Sequence, residues 1–315
     1  MREPNFFLVG AGKAGTTSLF HYLDQHPQIY MSPIKEPSFF SQETRPENME
    51  PGFRALGYEV EGRTREYLRG PMKDKLPGGV VRDWNDYMRL FLNAHNQLAI
   101  GEASVAYLWS RTAASGIARR YPHARILIVL RSPAERAFSQ YMHNMSDGFI
   151  SEPFRNYVKT SLQGGRRGLG VHEPFLEMGL YADQVQRYFD CFPREQIGIW
   201  FYEDTRARPH EYLREVMDFL GVDSSFQPDT SSRYNEPHVA RFGKAKRMLR
   251  RLGVWQMLAS ATPHRLRQAV RKAAHHPAGE LTMCAEDRAM MVDYYRDDVC
   301  RLEKMLGRDL TAWRT

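Results

Sequence analysis

Cysteine is scarce: Cys191, Cys284 and Cys300 are the only three in 315 residues, far apart and odd in number. That leaves no C-x-x-C spacing for a metal and no even framework for disulfides, so they read as reduced thiols of a cytoplasmic protein. Long apolar runs are also missing. Stretches such as "ARILIVL" (124–130) fall far short of the roughly 20 residues of a membrane span. Met1 is followed within a few residues by the first expected strand, so no cleavable leader or N-terminal anchor is expected. Acidic residues are lacking in one place. From Arg233 to His276, eleven Lys or Arg stand against Glu236 alone, a net +10 in a chain whose total is +7, so the remainder carries −3. There is no internal repeat and no low-complexity tract. The length suits one large α/β domain or two small ones, with enough core to need no cross-links.

What is present is an alternation of strand and helix signals. "NFFLV" (5–9) is an apolar run closed by a glycine turn, and "TTSLFHYLDQ" (16–25) carries Leu19, Phe20, Tyr22 and Leu23 at helical spacing until Pro27 stops it. "QLAIGEASVAYL" adds a strand ending at Glu102. "ARILIVL" leads into "RSPAERAFSQYMH", with Pro133 in the first turn and Ala134, Ala137, Phe138 and Tyr141 on one face. "QIGIWFY" (196–202) leads into "RPHEYLREVMDFLG", where Gly221 reads as a C-cap. Residues 41–95, rich in Pro, Gly and charge, read as loops and short helices. In 285–307, Met290, Met291, Tyr294, Tyr295, Val299, Leu302 and Leu306 share one face of an amphipathic helix.

The expected fold is therefore α/β: a P-loop-like, doubly wound parallel sheet flanked by helices, forming a single domain over 1–315. Within it, 5–232 is the core, 233–284 a basic helical segment, and 285–315 a C-terminal amphipathic helix packing on the core. Ligands then belong at the carboxyl ends of the strands.

The loop "GAGKAGTTS" (10–18) is the strongest local signal. Gly10, Gly12 and Gly15 let the backbone approach an anion, the amides opening the next helix point positive charge at it, and Thr16, Thr17 and Ser18 add hydroxyls. Aligned on the triphosphate loop G-x-x-x-x-G-K-[ST], Thr16 stands where the lysine belongs, and the loop's lysine is Lys13. An early lysine suits a ligand with no γ-phosphate and no magnesium. It can reach the bridging oxygen beside a 5′-phosphate, where charge develops when the group beyond is transferred. A bare G-x-G is more often packing and a lone loop lysine more often solvated, but here lysine and hydroxyls coincide.

"FFLVGAGKAGTTSL" together with "LRSPAERAFSQY" resembles the two signature segments of the sulfotransferases that use 3′-phosphoadenosine 5′-phosphosulfate, PAPS. The resemblance implies that Gly12, Lys13, Ala14, Gly15, Thr16, Thr17 and Ser18 bind the 5′-phosphosulfate, and that Arg131 and Ser139 bind the 3′-phosphate. "HPQIYMSPIKEPSFF" is similar to the segment that brings a glutamate to the acceptor hydroxyl in carbohydrate sulfotransferases. The matching residue is Glu36, with Phe39 and Phe40 beside it to dry the pocket. His21 and His26 are rival bases, since cytosolic small-molecule sulfotransferases use a histidine. "FYEDTRARP" resembles the segment whose aromatic approaches adenine, here Tyr202, and "LGRDLTAW" is similar to bacterial members. One departure is Ala103, where heparan-type enzymes often carry a lysine; Lys35 is one replacement, unless none is needed for this acceptor.

The function implied is sulfuryl transfer from PAPS to an acceptor hydroxyl on a carbohydrate or glycolipid, with Lys13 and Glu36 catalytic, PAP as product and no metal required. Two competitors stand beside it. A P-loop kinase would need a lysine at position 16 and an acidic magnesium ligand such as Glu102. A non-catalytic PAP-binding adaptor would keep Arg131 and Ser139 but need neither Lys13 nor Glu36. The basic stretch 239–272, with Phe242, Leu249, Leu252, Trp255 and Leu258 against Lys and Arg, fits docking on an anionic inner membrane face or an acidic glycan. It equally fits a segment closing over PAPS. No nucleic-acid recognition motif accompanies the charge.

Overall fold

The computed structural model describes residues 2–146, 149–150, 152–163, 175–231 and 282–315, and the backbone of 238–240 and 275–277. The chain opens with β1 (Phe6–Gly10) and α1 (Thr16–Leu23), followed by β2 (Ile29–Met31), β3 (Ile34–Lys35), α2 (Pro51–Arg69), β4 (Leu76–Pro77) and α3 (Trp84–Arg89). Next come β5 (Ala99–Ala103), α4 (Ala106–Trp109), α5 (Ala113–Arg120), β6 (Arg125–Leu130), α6 (Pro133–Ser146) and α7 (Phe154–Leu162). The remainder is α8 (Tyr181–Phe189), β7 (Ile197–Phe201), α9 (Tyr202–Ala207), α10 (Pro209–Leu220), β8 (His238–Ala240), β9 (His275–Pro277) and α11 (Ala285–Leu306).

Five strands form one parallel sheet in the order β2-β5-β1-β6-β7. Every residue of β1 and β5 is buried, as strands covered by helices on both faces require. β1 is central, pairing Phe6 with Gly101 on one side and with Arg125 on the other. The connection after β1 runs to one edge and the connection after β6 runs to the other. The loops following these two strands therefore diverge and leave a crevice at their carboxyl ends. A second, two-stranded parallel sheet pairs Ile34 with Leu76 and Lys35 with Pro77.

The departures from expectation have physical causes. Residues 41–95 hold a helix of 19 residues, α2, which buries only Gly57, Thr64 and Leu68 and so shows no apolar stripe. In α6 the fully buried Arg136 joins Ala134, Ala137 and Tyr141, its guanidinium donating to Gln140 Oε1 at 2.5 Å and to the Phe175 carbonyl. In α11 Met291, Tyr295, Val299 and Leu302 are buried, but Tyr294 is exposed and Val292 and Asp298 face inward instead. Asp298 accepts the Tyr181 amide at 2.6 Å and the Ala182 amide at 3.2 Å, capping α8 from another helix. Burial raises its pKa to about 6 against the pull of those two bonds.

The basic stretch expected as a helix over 239–272 lies outside the described residues apart from the backbone of Val239–Ala240 in β8. β8 pairs antiparallel with β9 and runs beside α6. No described helix is long and apolar enough to cross a membrane.

Candidate active site

α1 starts from Gly15, whose φ of 83° is left-handed and suits a residue without Cβ. The N-cap residue, a glycine, offers no capping side chain, and the first-turn amides stand beyond the carboxyl end of β1, where a helix N-terminus favours an anion. The loop before it is tied to the next strand by the Ala11 amide, which donates to Val129 O at 2.6 Å, and the Ala14 amide donates back to Ala11 O at 3.2 Å. Thr16 and Ala14 are buried, whereas Gly12, Lys13, Thr17 and Ser18 remain half-exposed. Two of the three hydroxyl-bearing residues, Thr17 and Ser18, thus reach the loop's surface.

Arg131 directly follows β6. Its Nη1 donates to the Lys13 carbonyl at 3.0 Å, and its guanidinium carbon sits 4.5 Å from the centre of the Tyr202 ring. Tyr202 directly follows β7 and packs against Gly15, where a Cβ would come within 3.1 Å of the ring's Cδ2. The Ser132 amide donates to Glu203 Oε1 at 3.0 Å, fixing the turn after β6 to α9. Loop, arginine and aromatic therefore form one contiguous unit across the ends of β1, β6 and β7. Ser139 is half-buried two turns into α6, the helix that Arg131 precedes.

Glu36 sits at the same edge of the sheet, beside the end of β5. Its amide donates to Ala103 O at 2.7 Å and its carbonyl accepts from Gly79 at 3.0 Å. Lys35 is buried and its Nζ donates to Glu36 Oε1 at 2.5 Å, while the Glu36 side chain keeps 34% exposure. Lys35 thus supplies an ammonium to Glu36, whose backbone is tied to Ala103. Among the described residues, the non-glycine positions with left-handed φ are Lys13 (70°), Glu36 (65°), Ser38 (57°) and Met72 (50°). Such conformations cost energy and cluster at functional sites.

Of the aromatic pair beside Glu36, Phe40 is buried in the core and meets Phe7 edge-on at 5.9 Å, while Phe39 is half-buried and stacks on Tyr87 at 4.5 Å. Of the rival bases, His26 is committed elsewhere: Nδ1 accepts the Gln28 amide at 3.0 Å, so Nε2 carries the proton and donates to Asp223 O at 2.8 Å. His21 differs. Burial lowers its pKa, with Asp24 opposing and Lys35 and Lys75 adding to the shift, which keeps the imidazole neutral.

Sequence reasoning passed over Glu102 except as a weak metal ligand. It is fully buried, and its oxygens accept from Ser104 Oγ at 2.7 Å, Tyr107 at 2.7 Å and Tyr87 at 3.0 Å. Burial pushes its pKa up to about 7 against the pull of those hydroxyls. With both oxygens so occupied it is not presented to a magnesium ion. Ser104, two residues on and so directed to the same side of the strand, was the one signal available in the sequence.

A model described as the sulfotransferase family matches residues 4–228. The chain belongs to that family. It also aligns over 100% of its length, and of the other's, with the crystal structure of a sulfotransferase from Alicyclobacillus acidocaldarius, at 32% identity and a TM-score of 0.74. Over 312 residues, 98% of this chain, it is 26% identical to the bifunctional heparan sulfate N-deacetylase/N-sulfotransferase 2 of Bos taurus. Over 269 residues, 70% of this chain, it is 26% identical to carbohydrate sulfotransferase 15 of Rattus norvegicus. The matches take in 30% and 44% of those two relatives, so this sulfotransferase-family chain spans less than half the length of either.

Proposed function

We propose that the protein transfers the sulfuryl group of PAPS to a hydroxyl of a carbohydrate or glycolipid acceptor. The acceptor oxygen gives its proton to Glu36 and bonds to sulfur, the bond from sulfur to the 5′-phosphate oxygen breaks, and PAP and a sulfate ester result. Lys13 stabilises the departing phosphate oxygen. The loop from Gly12 to Ser18 takes the 5′-phosphate, Arg131 and Ser139 the 3′-phosphate, and Tyr202 walls the adenine. Positioning and electrostatics carry most of the rate in such a scheme.

The observation that carries this reading is Arg131. One guanidinium from the end of β6 grips the Lys13 carbonyl and lies over Tyr202, which itself packs on Gly15, so the groups assigned to the two phosphates and to the adenine are in direct contact. The carbohydrate acceptor draws support from the relatives whose names specify heparan sulfate and carbohydrate.

Ligand-induced stabilisation tests the donor site. PAP at 100 times its dissociation constant should contribute about 2.7 kcal/mol to folding stability and raise the melting temperature without magnesium. Mg-ATP should do little, because Thr16 stands where a triphosphate loop has its lysine. Stabilisation by Mg-ATP and not by PAP would turn the reading towards a kinase.

A further inference from the structure

We propose that Glu102 is the positioning residue of the loop that carries Glu36, acting through three hydroxyl or ring contacts on three consecutive loop residues. The catalytic half of this inference rests on Glu36 being the base. Each donor to the Glu102 carboxylate also touches the loop. Ser104 Oγ gives its proton to Glu102 Oε2 at 2.7 Å and uses a lone pair to accept the Ser38 amide at 3.1 Å. The Tyr87 hydroxyl donates to Oε1 at 3.0 Å while its ring stacks under Phe39 at 4.5 Å. The Tyr107 hydroxyl donates to Oε1 at 2.7 Å and accepts the Phe40 amide at 3.3 Å.

The direction of these bonds is the point. A hydroxyl has one proton, and the ionised carboxylate that claims it leaves only lone pairs for the loop, so in that form of Glu102 Ser104 and Tyr107 are locked as acceptors for the Ser38 and Phe40 amides. An apolar residue at 102 would free both hydroxyls to turn. The loop needs holding, because Glu36 and Ser38 both have left-handed backbones that these side chains do not prefer. The Ser38 hydroxyl closes the unit by donating to the Glu36 carbonyl at 3.3 Å. Glu102 lies fully out of solvent, so it acts on the acceptor only through this loop.

The test uses Glu102→Gln, Ser104→Ala and Tyr107→Phe, with Glu36→Gln as the reference. Amide exchange across 36–41 should rise about five- to tenfold at Ser38 in Ser104→Ala and at Phe40 in Tyr107→Phe, the worth of one net hydrogen bond, and in Glu102→Gln at whichever of the two is held by the hydroxyl that meets the new amide nitrogen. Exchange within α11 should not change. Turnover should fall about tenfold to a hundredfold through displacement of Glu36, with PAP affinity and the KM for PAPS unaltered. Should Glu102→Gln not fold, the two hydroxyl variants carry the test alone. Unchanged exchange at Ser38 and Phe40 overturns the proposal. So does faster exchange with full turnover, provided Glu36→Gln is inactive. If Glu36→Gln is active too, the loop positioning stands and the assignment of the base fails instead.

Discussion

Glu36→Gln is expected to lower turnover by about 100-fold to 10,000-fold, the usual contribution of a general base, while PAP binds as to the wild type. Glutamine nearly matches the glutamate in shape and can still accept from Lys35 Nζ, and the backbone bonds to Ala103 and Gly79 do not involve the side chain. Only the capacity to take a proton is lost. The donor site is built from other residues, in the loop before α1 and at the ends of β6 and β7. His21→Ala is the necessary comparison, since burial leaves that imidazole neutral and able to accept a proton. If Glu36→Gln keeps near-normal rates and His21→Ala does not, the base is His21 and the carbohydrate-type assignment falls with it. His26→Ala should cost stability rather than rate, because both ring nitrogens are bonded to backbone groups.

The second large effect is on affinity. Arg131→Ala should weaken PAP binding by about 2 to 5 kcal/mol, the cost of removing a charged partner from a largely desolvated site. The part of the effect that belongs to the 3′-phosphate has a specific signature. Adenosine 5′-phosphosulfate lacks the 3′-phosphate, so its affinity should fall less than that of PAP in parallel titrations. Equal losses would mean that Arg131 acts only by holding the Lys13 carbonyl and the Tyr202 ring, both of which it touches. Arg131→Lys should recover part of the charge but not the planar fork.

The strands and the helices after β1, β6 and β7 were legible because buried parallel strands are continuous apolar runs and because Pro133, Pro209 and Gly221 punctuate the helices that follow. Lys13 was legible from the glycine loop, and Arg131 and Tyr202 through the resemblance of their segments; in the structure all three lie beyond the carboxyl ends of β1, β6 and β7. Contacts between distant segments were not. Nothing in sequence spacing tells that Asp298 caps α8, that Arg136 is buried at a position polar by pattern, or that α2 forms with almost no apolar stripe. Phe39 and Phe40 show the same limit: their rings pack around Tyr87, Phe40 in the core and Phe39 half-buried beside it, which their place next to Glu36 in the chain does not tell. Glu102 was hidden most completely, because its donors at 87, 104 and 107 meet only once β5, α3 and α4 are packed.

The central claim is that a sulfuryl group passes from PAPS to a hydroxyl, and the most direct measurement follows that group. The protein is incubated with PAPS labelled in the sulfuryl sulfur and a panel of unsulfated glycans and glycolipids, without magnesium, and both labelled ester and PAP are measured. The expected result is label on an acceptor, with one PAP formed for each ester and both formed about 100-fold or more slowly with Glu36→Gln. Release of PAP with the label appearing only as free sulfate, or no consumption of PAPS with any acceptor under conditions where PAP is shown to bind, would contradict the account.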